Sequence, residues 1–129
     1  VKIAIDMHGT IDSNPEFFSD LIKNLRNLGM EIHITTGVSD SPKLRSSLRD
    51  WGIEYDGLFS ITDYHKSIGT PILWDEKGNP HIEEEVWDST KADYCQREKI
   101  DLAIDDSTVY EKYFSFPTVY VIWKPSDQK

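Results

Sequence analysis

Hydrophobic and polar positions alternate between two rhythms along this chain. Lys2-Ile3-Ala4-Ile5-Asp6 is a short apolar run closed by an acid, the pattern of a buried strand that runs into a polar loop. Asn14-Pro15 then opens a helix: asparagine caps, and proline takes the first helical position, where its missing N–H costs nothing. Phe17, Phe18, Leu21, Ile22, Leu25 and Leu28 recur at helical spacing, and Gly29 is the stop. Glu31 to Gly37 reads as a second strand, Ser41-Pro42 as a second capped start with Leu44, Leu48 and Trp51 as its buried stripe, and Gly57 to Ile61 as a third strand.

The rhythm then breaks. Thr70–Trp74 and His81–Glu83 flank the turn-forming Asp75–Pro80, which predicts a hairpin within an insertion over about 63–88. Thr90-Lys91-Ala92-Asp93 has the form of a capping box and predicts a helix from Thr90 to about Glu98, with Lys91 in its opening turn. Asp101–Ile104 is a further strand ending in Asp105-Asp106. A short helix near Val109–Phe114 and a last strand over Thr118–Trp123 follow, and Lys124-Pro125 with the polar tail reads as frayed. Strands alternating with helices predict an α/β fold: a three-layer, Rossmann-like parallel sheet of about five strands, helices on both faces, and a small β-hairpin insertion. The 129 residues fit a single domain, 1–129.

Composition narrows the function classes. A formal charge of −9 argues against a nucleic-acid surface, which needs a basic stripe to displace counterions. It leaves room for a small anionic substrate, because a metal ion and a few local cations can reverse the sign inside one pocket. The lone Cys95 allows no internal disulfide, the opening strand is unlike a signal peptide, and no apolar run approaches a membrane span. The expectation is a cytoplasmic protein without a membrane partner.

In an open parallel sheet, ligands bind outside the carboxyl ends of the strands. Three of the predicted strands end there in reactive groups: Asp6, His8 and Thr10; Thr36; Asp105 and Asp106. Lys91 precedes the strand that carries the paired acids, so it can reach the same rim. Carboxylates suit a hard cation such as Mg2+, while an ammonium and a hydroxyl suit phosphoryl oxygens. Strand alternation allows only one of Thr35 and Thr36 to face the site, and Thr36, next to Gly37, is the favoured one.

Ile3-Ala4-Ile5-Asp6-Met7-His8-Gly9-Thr10-Ile11 resembles the first motif of the haloacid dehalogenase (HAD) superfamily, an apolar strand followed by Asp-x-Asp-Gly-Thr. Ile32–Gly37 resembles the second motif, Lys91 the third, and Leu102–Ser107 the fourth, all in order over residues 3–107. The resemblance implies a Mg2+-dependent phosphate monoester hydrolase, capless or minimally capped, acting on a small phosphorylated substrate such as a nucleotide or sugar phosphate. It implies that Asp6 is nucleophile and metal ligand, that the His8 carbonyl, Asp105 and Asp106 complete the metal set, and that Lys91 neutralises Asp6 and the phosphate. Thr36 with Gly37 would hold phosphoryl oxygens, and Gly9 and Thr10 would shape the phosphate loop.

The departure is His8, where the family carries a second Asp that protonates the leaving oxygen and then activates water. Histidine, with an ordinary pKa of about 6.5, can do both. The alternative is that His8 fills space, leaving a phosphate-binding or regulatory module with poor turnover. Metal-free carbon–halogen hydrolysis is disfavoured, because Asp105 and Asp106 would repel an uncompensated nucleophile. Trp74 and Trp87 either pack the hairpin against the body or stack on a base or sugar.

Overall fold

The structure, a computed structural model, describes residues 1–125. Its elements in chain order are β1 (Lys2–Asp6), α1 (Pro15–Asn27), β2 (Glu31–Thr36), α2 (Pro42–Asp50), β3 (Gly57–Ser60), α3 (Ile61–Ile68), β4 (Leu73–Trp74), β5 (Pro80–His81), α4 (Glu84–Arg97), β6 (Leu102–Asp105) and β7 (Val119–Ile122). Five strands form one parallel sheet in the order β3-β2-β1-β6-β7, and β4 and β5 pair antiparallel as a separate hairpin. The α/β Rossmann-like architecture expected from the sequence is therefore present.

Strand alternation divides the core in two. Ile3, Ile5, Ile32 and Ile34 pack with Phe18 and Ile22 of α1 and Leu44 and Leu48 of α2. On the opposite face Ala4 and Ala103 meet Cys95 of α4 and Ile100. Each large aliphatic side chain fully withdrawn from water contributes about 1.5–3 kcal/mol, so the α1/α2 face carries most of the apolar stabilisation. Small Ala4 and Ala103 let α4 sit close to β1 and β6, where the polar end of the sheet begins.

The two Xaa-Pro helix starts behave as predicted. Asn14 accepts a hydrogen bond from the Phe17 N–H and Ser41 one from the Leu44 N–H. Other details differ. Phe17 and Leu28 are exposed, so the buried stripe of α1 is narrower than its hydrophobic pattern; Phe17 stacks on Trp123 instead. Trp51 is only half-buried. The helix expected from Thr90 begins at Glu84, so Lys91 lies inside α4 and not in its opening turn. Thr90 caps nothing: its hydroxyl donates back to the Val86 carbonyl at 2.6 Å. The stretch after β3 holds α3, which the hairpin expectation lacked, and the short helix near 109–114 is one 3-10 turn, Glu111–Tyr113. Pro125 is buried, not frayed; the rest of the predicted frayed tail, 126–129, lies outside the described residues. Among the described residues no helix is long and apolar enough to cross a membrane.

Candidate active site

The sheet order reverses at β1: β2 and β3 lie to one side, β6 and β7 to the other. This is the switch point at which open α/β sheets leave a crevice. Ile5 pairs with Ile104, so one step further Asp6 and Asp105 sit side by side on adjacent strands although they come from opposite ends of the chain. The loops that follow carry His8, Gly9 and Thr10 on one side and Asp106 on the other.

Lys91 joins the two acids. Its Nζ is 2.7 Å from Asp6 Oδ1 and 2.8 Å from Asp105 Oδ2, and all three side chains are buried. The second oxygen of Asp6 accepts from the Thr10 hydroxyl at 3.2 Å, and that of Asp105 from the Ser107 N–H at 3.0 Å. Tyr120 in turn donates to the Ser107 carbonyl at 2.6 Å, which steadies the turn after β6. Each carboxylate oxygen has two lone pairs, so these bonds orient the acids and still leave capacity for a cation or a phosphorus atom. Asp6, Asp105 and Asp106 each offer an oxygen, all within 4.8 Å of one another, a spacing that could hold a metal ion.

The electrostatics follow from burial. Withdrawal from water raises the Asp6 carboxyl most, Lys91 pulls it down, Asp105 adds repulsion, and the balance leaves it pushed up to about 8. Burial works against the Lys91 ammonium as well, but Asp6 and Asp105 outweigh it and hold Lys91 above the ordinary lysine range. Three carboxylates against one ammonium leave a formal charge of −2 when all are ionised. Negative charge in this crevice is under-compensated by the protein itself.

The loop after β1 has its own geometry. Gly9 has φ +89°, a region glycine enters freely, and a Cβ there would overlap the Asp106 carboxylate. The Gly9 N–H donates to Asp12 Oδ1 at 2.7 Å, so Asp12 closes the loop and the Gly9 amide is committed to that bond. Thr10 is fully buried, with its hydroxyl also 3.4 Å from Asp106 Oδ1. His8 is exposed, and its Nδ1 lies 3.1 Å from Thr36 Oγ1. Thr36 also accepts from the Val38 N–H at 3.1 Å, and its hydroxyl, one donor with two acceptor sites, can meet either tautomer of His8 Nδ1. The favoured Thr36 is thus brought to His8. Gly37 is held against α4: a Cβ on it would come within 2.9 Å of the Trp87 ring.

One contributor escaped the sequence reading. The Tyr110 ring lies 5.2 Å from Lys91 Nζ and its hydroxyl accepts from Trp87 Nε1 at 3.3 Å, so it roofs the ammonium. No sequence pattern marks Tyr110; it sits in an irregular segment whose path only the fold defines. Cys95 is buried and pushed up to about 12 by that burial, so it is no nucleophile. His33 is satisfied by Glu31 and Tyr94.

Fold and site together define an α/β Rossmann-like protein with an acid–lysine cluster at the carboxyl edge of its sheet. Comparison with protein-family models, with curated proteins and with solved structures finds no match.

Proposed function

We propose that this chain is a Mg2+-dependent phosphate monoester hydrolase of HAD type that works through an aspartyl-phosphate on Asp6. The observation that carries the proposal is Lys91 bonded to both Asp6 and Asp105, with Asp106 and Thr10 beside them. A buried ammonium that orients one carboxylate and is shared with a second suits phosphoryl transfer, where positioning and charge compensation dominate. The formal −2 of the cluster is what a divalent cation would cancel, and three carboxylate oxygens are the hard donors Mg2+ takes. Asp6, Asp105, Asp106 and the His8 carbonyl would hold it. When bound, the ion would supply neutralisation of the phosphoryl charge and release Asp6 from its proton.

Asp6 then attacks phosphorus, the phosphorus–oxygen bond of the ester breaks, and the leaving oxygen takes the Nε2 proton of His8 in its imidazolium form, leaving the ring neutral. In the second half His8 removes a proton from water, the water oxygen attacks phosphorus, and the bond to Asp6 breaks, releasing inorganic phosphate. Lys91 holds Asp6 in its attacking orientation. Thr36 steadies His8 through Nδ1, which leaves Nε2 for the proton transfer. The exposure of His8 suits exchange of protons with water.

The test is a screen of phosphorylated metabolites with and without Mg2+, using Asp6→Asn as the blank. Mg2+-dependent phosphate release that is lost in Asp6→Asn supports the proposal. Saturable phosphate binding without release from any ester would favour the binding module instead.

A further inference from the structure

Beside the acid–lysine cluster lies a second cavity, of about 350 Å³, walled by Gly37, Val38, Trp74, Asn79, Pro80 and Trp87. Its walls come from the loop after β2, the hairpin, and the first turns of α4. Two links join it to the cluster. Gly37 directly follows Thr36, whose hydroxyl is bonded to His8. Trp87 lies one turn before Lys91 on α4, and both side chains meet Tyr110, the indole through its N–H and the ammonium through the ring face. The cavity therefore adjoins the cluster on the His8 side, where a leaving group departs.

The chemistry of the walls is selective. Trp74 keeps 48 % of its surface exposed, on a two-stranded hairpin that has little else to bury. The Lys66 ammonium stands 5.2 Å from the centre of its ring and is not part of the cavity wall, which the indole itself lines. Val38 and Pro80 add flat apolar surface. Its polar groups are the Asn79 amide, which offers a donor and an acceptor in one plane, and the hydroxyls of Ser39 and Thr62. The Thr62 hydroxyl is already bonded to the Gly37 carbonyl, and a flat ring with a polar edge fits an indole face beside the Asn79 amide.

We infer that this cavity is the leaving-group site of the proposed phosphatase and that it takes a nucleobase, which makes the substrate a nucleoside monophosphate. The base stacks on Trp74 and is met at its edge by Asn79, and the phosphate reaches Asp6 past His8. Gly37 is needed because only a residue without a side chain lets Trp87 close the cavity next to the phosphate end. The inference rests on the phosphatase reading, and its test separates the two.

The test compares kcat/KM for a nucleoside 5′-monophosphate and for glycerol phosphate, which carries no ring, in wild type and Trp74→Ala. Loss of a stacking partner lowers the ratio of the two by about ten- to a hundredfold. A ratio that does not move overturns the nucleobase site while leaving the phosphatase reading intact. A second measurement does not depend on turnover: titration of the Asp6→Asn protein with the nucleoside monophosphate, read by tryptophan emission. Quenching that disappears when Trp74→Ala is added supports the site even if no ester is hydrolysed. Absence of quenching, or quenching that persists without Trp74, overturns it.

Discussion

At the residue scale, the candidate site depends on a few side chains with no slack. His8 replaces the acid that the resemblance anticipates, and it is exposed, with one ring nitrogen on Thr36. If it moves the proton, His8→Ala lowers phosphate release by about 10²–10⁴-fold, the usual worth of a general acid–base. The same variant changes the shape of the pH–rate profile; a profile with unchanged shape removes His8 from proton transfer. Gly9 gives a separate prediction. Alanine there must adopt φ +89° and overlap the Asp106 carboxylate. Backbone strain of this kind costs about 1–3 kcal/mol, so the urea midpoint of Gly9→Ala falls and phosphate release falls with it. A variant with wild-type midpoint and activity would mean that the loop has room the structure denies. Asp6, Thr10, Lys91 and the paired acids were all legible in the sequence, because each closes, precedes or shortly follows an apolar strand. Tyr110 was not, since its place beside Lys91 comes from the irregular path between β6 and β7.

At the element scale, legibility followed the chemistry of the helix ends and faces. Asn14-Pro15 and Ser41-Pro42 announce α1 and α2 because a side-chain cap and a proline act locally, without reference to the fold. Helix α3 follows β3 with no intervening loop, and its cap, Ser60 accepting from the Asp63 N–H, was hidden inside what reads as a strand end; Ser60-x-x-Asp63 with Gly69 beyond was the available signal. The start of α4 was misplaced because its buried face is largely polar. Its buried face carries Asp88, Thr90 and Lys91 with Ala92 and Cys95, so the face turned inward shows no hydrophobic stripe. His65 ties α3 to α4. Thr90 gives its proton to Val86, so it must accept from His65 Nε2–H at 2.8 Å, and Nδ1 accepts from Thr70 at 2.8 Å. Neutral His65 is fully bonded, and burial pushes its pKa down. The unfolded chain therefore takes up this proton more readily than the native one. The resulting contribution to stability is complete above about pH 6.5 and is lost as pH falls from there through the depressed native value. Unfolding of wild type and His65→Gln between pH 7.5 and 5 checks this, in units set by the assay: the variant should show a shallower fall with acid. Parallel curves would show that His65 does not carry the dependence.

At the scale of the whole molecule, the site is a product of strand order. A chain that lays β1, β2 and β3 outward and then returns to place β6 on the other side of β1 brings Asp6 and Asp105 onto adjacent strands with Lys91 above both. Sequence shows the acids and the alternation of elements; it does not show which strands become neighbours. The consequence is thermodynamic. Folding gathers three carboxylates and one ammonium, an arrangement that stabilises the native state only in part when no other cation is present. An ion that binds the native cluster and not the dispersed unfolded chain must stabilise the fold, by about 2.7 kcal/mol at a hundredfold excess over Kd. Mg2+ should therefore raise the unfolding midpoint of this protein in a saturable way. A chain of net charge −9 also gains from any divalent cation through general screening, so the decisive comparison is with Asp105→Asn at matched ionic strength. Screening acts on both proteins alike, whereas a shared cation site is lost with one of its acids. A saturable Mg2+ shift in wild type that Asp105→Asn lacks supports the cluster as a metal centre. Equal shifts in the two, or none in wild type, would reduce it to a buried ion-pair network and remove the cation on which the proposed phosphoryl chemistry depends.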